Sequence, residues 1–349
     1  MLRRVLFAFV SLTLLLYFAT ISTPVALGQS ADSVQPITIP ATSERTAIRS
    51  EHHWILSVRH CRQECSSCAA DCRFEFSESD WCGNAQAASE TAFRNWIRPG
   101  QPICIYVHGS FVPADTVVSD SVSTFRWLRQ AAPERSAQMI CFTWQSDGVF
   151  TLDPAVAISS AVPGVDVAIL GKRAEVNGIR LARLILSLPE ESPVCIIGHS
   201  HGGRILASAL HLLGGGVSCG IQLCHAPCQR RVRAIFAAAA IDHNWLNPGE
   251  RFGRAMCGAE CVLNIKSRKD WALAVYPLRK LFSPRALGQA GFTAKDTARL
   301  GSAACRIAEV DVTDAIGTGH IWPRYTERPD FAQMLLPWLY SLPFEQASD

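Results

Sequence analysis

Ser200 stands at the centre of Gly198-His199-Ser200-His201-Gly202, a G-x-S-x-G pentapeptide that follows the apolar run Val194-Cys195-Ile196-Ile197. A serine hydroxyl attacks a carbonyl efficiently only when a base takes its proton and N–H donors meet the oxyanion that forms. The spacing suits that task. A buried strand that breaks sharply into a helix lifts the serine oxygen clear of the backbone, and glycines two places to either side relieve the crowding of so tight a turn. The first N–H groups of the helix then face the developing negative charge. A glycine-rich turn whose serine merely caps the helix has the same composition, so the flanking elements must decide.

Those elements alternate between strand and helix patterns, the mark of a mostly parallel, doubly wound α/β sheet flanked by helices. Residues 54–58 read as a first strand and 73–76 as a second. Residues 103–107 form a continuous apolar run ending at His108-Gly109, as a buried central strand should. Residues 139–144, 194–197, 233–241, 261–265 and 306–312 continue the sheet. Val167, Leu170, Ala174, Gly178, Leu181, Ile185 and Leu188 recur at three- and four-residue steps and make one helix face. Gly171 and Gly178, on or beside that face, are expected to let the helix sit close to the sheet. A second helix begins just after Ser200, turns Ile205, Leu206, Ala209 and Leu213 inward, and stops at Gly214-Gly215-Gly216. Residues 217–231 and 276–300 have weak periodicity and read as insertions near the rim of a site.

Three segments together carry a resemblance: Val107-His108-Gly109-Ser110, then Phe142-Thr143-Trp144-Gln145-Ser146-Asp147-Gly148, then the Gly198 to Gly202 turn. Residues 100–342 resemble the α/β-hydrolase superfamily, of the serine esterase and lipase kind, and within it an exported bacterial branch of unassigned function. The resemblance implies a triad in the order serine, acid, histidine. His201 and His211 belong to the helix after Ser200 and His225 to a cysteine-rich insertion, while His320 follows the last strand in Gly317-Thr318-Gly319-His320. His320 is therefore the expected base, on a flexible turn able to swing the imidazole over the serine. Asp270, after the strand at 261–265, matches the usual acid, and Asp242, at the end of the preceding strand, is the alternative. The oxyanion donors implied are the backbone N–H groups of His201 and Ser110. The side chains of His108, His199 and His201 are read as packing groups without proton chemistry.

The function implied is a serine hydrolase cleaving an ester, thioester or amide through an acyl-enzyme on Ser200. Its partner would be a small-molecule or lipid-like acyl substrate, with no cofactor and no metal required. A different class stays open: a non-catalytic exported binding or envelope protein that keeps the scaffold.

The N-terminus bears on location. Arg3 and Arg4 precede an uncharged apolar run of 17 residues, 5–21, and Ala26-Leu27-Gly28 offers a cleavage site. Residues 1–28 thus read as a signal peptide or as an uncleaved anchor at the short limit for a span. Residues 29–50, rich in Ser, Thr, Pro and Ala, read as a linker, 51–99 as cysteine-rich N-terminal strands of the sheet, and 100–349 as the hydrolase core. The expected location is extracytoplasmic, periplasmic or secreted, with membrane contact only through an uncleaved leader. A net charge of +3 without a basic stripe argues against a nucleic-acid partner.

The chain carries 14 cysteines, many for a protein kept in a reducing compartment. Cys61, Cys65, Cys68, Cys72 and Cys82 crowd the N-terminal part, and Cys219, Cys224, Cys228, Cys257, Cys261 and Cys305 form a looser set. Cys104, Cys141 and Cys195 sit in strand-like runs as small hydrophobes. The C-x3-C-x2-C spacing of Cys61, Cys65 and Cys68 also occurs in iron–sulfur enzymes, and thiolates bind zinc or iron well. Export favours disulfides instead, with three pairings open to the first four cysteines.

Overall fold

The computed structural model describes residues 52–62, 72–147, 163–279 and 283–342. The leader and linker expectations, together with Cys65 and Cys68, lie outside the described residues. The elements below belong to one compact unit, residues 51–149 and 164–349. The other unit, residues 1–50 with 150–163, lies almost wholly outside the described residues.

In chain order the described strands are β1 (His53–Ser57), β2 (Glu75–Ser79), β3 (Ala85–Ala88), β4 (Ile103–Val107), β5 (Gln138–Thr143) and β6 (Val194–His199). They continue with β7 (Val217–Ser218), β8 (Ile221–Gln222), β9 (Val232–Ala237), β10 (Cys261–Lys266) and β11 (Ile307–Asp311). The helices are α1 (Glu90–Trp96), α2 (Val117–Ala131), α3 (Pro163–Ser187), α4 (His201–Leu213) and α5 (Trp271–Ala274). After them come α6 (Leu287–Ala290), α7 (Ala294–Leu300), α8 (Thr313–Ile316), α9 (Pro323–Thr326) and α10 (Pro329–Leu339).

Nine strands form one sheet in the order β11-β10-β9-β6-β4-β5-β1-β2-β3, and β7 and β8 pair as a separate hairpin. Every pair from β11 across to β1 is parallel, and only β1–β2 and β2–β3 are antiparallel. Successive strand residues face opposite sides of a sheet, and β4 is buried on both. Ile103, Ile105 and Val107 join the core beneath α1, α3 and α4. Cys104 and Tyr106 join the core beneath α2 and α10. The result is a mostly parallel α/β sheet flanked by helices.

Two sequence expectations change, and one strand appears that the sequence does not announce. The strand expected over 233–241 ends at Ala237, because Ala238 takes φ 45° and its N–H donates to Ile265 O. The chain must turn there: a Cβ on Gly288 would lie 2.2 Å from Ala238 C, so no side chain separates the two backbones. The edge strand β3 carries no alternation in Ala-Gln-Ala-Ala; it forms through the turn at Asp80, whose carboxylate accepts from the Asn84 backbone and side chain, both at 2.8 Å. Finally, Gly171 and Gly178 bring α3 against α4 rather than against the sheet. A Cβ on Gly178 would lie 2.4 Å from Ser208 Cβ, and one on Gly171 2.2 Å from an Arg204 guanidinium nitrogen. That guanidinium bonds Glu175 at 2.7 Å and lies over the Trp245 ring at 4.9 Å.

The C-terminal helix is clasped from several directions. Trp127 Nε1 donates to Arg328 O at 2.8 Å, and Gln333 Nε2 donates to Ala131 O at 2.8 Å. Arg233, buried on β9, donates to Pro337 O and Leu342 O at 2.7 and 2.8 Å. At the other end of the chain, Cys61 and Cys72 form a disulfide, with 5.8 Å between their Cα atoms. Cys104, Cys141 and Cys195 are buried free thiols, as the strand patterns suggest, and Cys82 is free and exposed. No helix among the described residues is long and apolar enough to cross a membrane.

Candidate active site

From β4 the chain crosses one way to β5 and then the other way to β6, so β4 and β6 are neighbours with connections that diverge. Open α/β sheets bind ligands at the carboxyl ends of strands at such a switch point. His108-Gly109-Ser110 leaves β4 there, and Ser200 leaves β6.

The turn at Ser200 is tight. Ser200 adopts φ 53°, ψ −120°, a backbone state that costs a side-chain-bearing residue about 1–3 kcal/mol. The flanking glycines make room: a Cβ on Gly202 would lie 2.2 Å from Val107 O, and one on Gly198 would lie 2.7 Å from Gly202 O. Although Ser200 occupies the N-cap of α4, its side chain makes no capping bond. Its Oγ lies 3.0 Å from His320 Nε2 instead. His320 Nδ1 lies 2.7 Å from Asp270 Oδ2. Asp270 is 0% exposed and Ser200 6%, while the His320 side chain between them keeps 17% exposure, so the line is dry at its acid end and reachable by solvent at the imidazole.

Each member is held by its own element. Asp270 follows β10 and caps α5, its Oδ1 accepting from Leu273 N–H at 3.0 Å. Gln289 Nε2 holds the Asp270 carbonyl at 3.1 Å. The His320 turn, expected to be flexible, is anchored at both ends. Ser267 Oγ donates to Gly317 O at 2.8 Å, and His199 Nε2 donates to His320 O at 2.7 Å. Burial, with His320 alongside, pushes the His199 imidazole down to about 3, so it stays neutral. Beyond His320, Trp322 stacks on Tyr106 with 5.0 Å between centroids and donates to Thr124 Oγ1 at 2.8 Å.

Asp242 stands elsewhere. Its Oδ1 accepts from the Tyr276 hydroxyl at 3.0 Å, and both ring nitrogens of His320 are already taken by Ser200 and Asp270. Two of the other downstream histidines have other neighbours: His243 Nδ1 meets Asp296 at 2.7 Å, and His211 Nδ1 accepts from Arg254 N–H at 3.1 Å.

On the oxyanion side, Ser110 Oγ lies 2.8 Å from His201 Nδ1, so the two residues expected to lend their amides are also joined through their side chains. Gly109 touches the elbow, where a Cβ would lie 3.0 Å from Ser200 Cβ. The loop is braced by groups that sequence reasoning missed. His108 Nδ1 lies 2.8 Å from Gly109 O and its Nε2 2.9 Å from Thr143 Oγ1. Arg59 donates through Nε to Thr143 Oγ1 at 2.9 Å, and through its terminal nitrogens to Asp147 at 2.9 Å and Val112 O at 2.5 Å. Nothing in the sequence around Arg59, just past β1, announces this contact.

As for metal ligands, His60, Cys61 and Cys72 place ligand atoms within 4.8 Å of one another. The two sulfurs are bonded to each other, and a disulfide offers no thiolate for a metal.

No family model matches the chain, and no curated protein matches its sequence. Among solved structures, esterase B from Lactobacillus rhamnosis aligns at 12% identity and a TM-score of 0.42, over 85% of this chain and 90% of that one. The catalytic core domain of acetyl xylan esterase from Trichoderma reesei aligns at 14% identity and a TM-score of 0.33, over 70% of this chain and 97% of that one. Likeness at this level carries no argument about this chain's chemistry.

Proposed function

We propose that the chain is a serine hydrolase of the α/β-hydrolase kind that cleaves a carboxylic ester, thioester or amide through an acyl-enzyme on Ser200. The observation that carries this reading is the hydrogen-bonded line from Ser200 Oγ through His320 to Asp270, at 3.0 and 2.7 Å. Asp270 accepts from Nδ1–H, which leaves the Nε2 lone pair facing the serine hydroxyl. His320 takes the serine proton as Oγ attacks the carbonyl carbon, and Asp270 stabilises the imidazolium. The oxyanion accepts from the Ser110 and His201 amides. As that intermediate collapses, His320 returns the proton to the leaving group. Water, deprotonated by the same imidazole, then releases the acid and frees Ser200.

The substrate class proposed is a small or lipid-like acyl compound. Phe111, next after Ser110, is 52% exposed, and Ile321, next after His320, is 43% exposed. Large apolar side chains left in water beside the reacting groups suit an apolar acyl chain. The Cys61–Cys72 disulfide supports an oxidising compartment. With the leader, it leads us to place the enzyme outside the cytoplasm.

A fluorophosphonate probe tests the reading. The native chain should be labelled on Ser200, and Ser200→Ala should lose both labelling and hydrolysis of short esters. The loss in kcat should be on the order of 10⁶, the scale set by removal of a serine-protease nucleophile. Unchanged turnover by the alanine variant would end this proposal and favour a binding protein on the same scaffold.

A further inference from the structure

The Ser110 N–H shares a peptide plane with the Gly109 carbonyl. In a trans peptide these two bonds point in opposite directions, so whatever holds the carbonyl also aims the N–H. The group that holds it is the preceding side chain, His108 Nδ1 at 2.8 Å. A carbonyl only accepts, so Nδ1 carries the proton and Nε2 must be the acceptor. Two donors meet Nε2: the Thr143 hydroxyl at 2.9 Å and the Trp144 N–H at 3.4 Å. While its O–H donates to the imidazole, the Thr143 oxygen accepts from Arg59 Nε at 2.9 Å. The peptide one step earlier is fixed as well, because Trp144 Nε1 donates to His108 O at 3.0 Å.

We propose that His108 is a positioning residue that fixes the direction of the Ser110 N–H, and that Arg59 and Thr143 hold His108 in the tautomer this requires. The proposal rests on the reading of Ser110 as an oxyanion donor. The donor sequence runs one way, from guanidinium to hydroxyl to imidazole to carbonyl, with no bond in it reversible. A guanidinium cannot accept, and a carbonyl cannot donate. His108 is 1% exposed and Thr143 2%, so water does not compete for these bonds. Burial also pushes the His108 imidazole down to about 3, which keeps Nε2 free to accept. Arg59 adds a direct hold on the loop past Ser110, through Val112 O at 2.5 Å.

Two substitutions of similar size separate this role from mere packing. An asparagine amide can place its nitrogen where Nδ1 was, whereas a glutamine amide reaches only the Nε2 position. His108→Gln should lower kcat for a short ester by about 100-fold with KM within about twofold, as for loss of one oxyanion donor. His108→Asn should lose only about 10-fold, since the carbonyl keeps a donor. Nitrogen-15 spectra of the native chain, and of the inactive Ser200→Ala form, should show His108 protonated on Nδ1 and not on Nε2 at neutral pH. Equal activity in the Gln and Asn variants of an active enzyme, or an Nε2–H tautomer, overturns the inference and leaves the hydrolase reading standing. A native chain that neither turns over esters nor labels ends both the hydrolase reading and this role, even with the Nδ1–H tautomer in place.

Discussion

Asp270 divides its two oxygens between tasks: Oδ1 caps α5 through Leu273 N–H, and Oδ2 meets His320 Nδ1. Asparagine caps a helix about as well as aspartate, yet its amide cannot hold the histidine tautomer or balance an imidazolium. Asp270→Asn should therefore lower kcat by roughly 10⁴, the scale found for a comparable buried triad acid, while the melting temperature moves little. Asp242→Asn, at a carboxylate that accepts from the Tyr276 hydroxyl and not from His320, should cost less than about tenfold in kcat on the same scale. Steady-state kinetics and a thermal melt of each variant check this. The opposite ranking would transfer the acid to Asp242. That Ser200, Asp270 and His320 come within hydrogen-bond reach of one another was legible in the sequence, because each follows a strand in a fixed motif order. The residues that aim them were not. His108 and His199 look like packing residues from sequence, since the bonds they make are to backbone carbonyls, and a linear pattern carries no trace of those.

Helix spacing is a second case of partial legibility. The apolar face of α3 can be read directly from its three- and four-residue steps, and its buried members include Leu170, Ala174, Leu181 and Ile185. Periodicity says which face is covered but not by what. Gly171 and Gly178 therefore pointed to the sheet in sequence, whereas in space they face α4. The difference yields an unusual expectation. Alanine in a helix is worth up to about 1 kcal/mol over glycine, but Gly178→Ala sets a methyl 2.4 Å from Ser208 Cβ and 3.0 Å from Ile205 O. Neither atom is the free end of a flexible chain, and overpacking costs about 1–3 kcal/mol. The net effect should be destabilising, seen as a melting temperature lower by several degrees. A more stable variant would mean that α3 and α4 can slide apart without loss. Strand ends were also hard to foresee, because Ala238 leaves β9 to let Gly288 approach, a contact 50 residues distant in the chain.

For the molecule as a whole, buried histidines tie stability to pH, and His53, His108 and His199 are shifted furthest. Burial pushes His108 and His199 down to about 3, and burial, with His52 nearby, pushes His53 down to about 4. His53 is held neutral between Ser121 Oγ, 2.8 Å from its Nε2, and the stacked Phe125 ring. In the unfolded chain all three should titrate near the ordinary value of about 6.5. Below that value the unfolded state binds more protons than the folded one, so their contribution is complete above pH 6.5 and is lost as pH falls towards the folded values. Each proton is worth about 1.4 kcal/mol per pH unit, so the three together approach about 4 kcal/mol per unit at the steepest. Melting temperature should hold near neutrality and fall steeply between about pH 6 and 4. A flat profile over that range would show that these rings accept protons without unfolding.

The clasp on α10 has a consequence for how the chain is made. Val117, Phe125 and Leu128 of α2 are buried with Phe331, Leu335 and Leu339 of α10, about 200 residues further along. Synthesis runs from the N-terminus at about 5–20 residues per second, so that apolar stripe emerges from the ribosome many seconds before its cover does. Arg233 waits likewise for the carbonyls of Pro337 and Leu342. A nascent chain in this state is prone to aggregate and open to chaperones, and it stays unfinished for as long as α10 is withheld. Ribosome-stalled chains ending before residue 329 should accordingly be cleaved by protease within α2, and released chains that include residues 329–342 should resist.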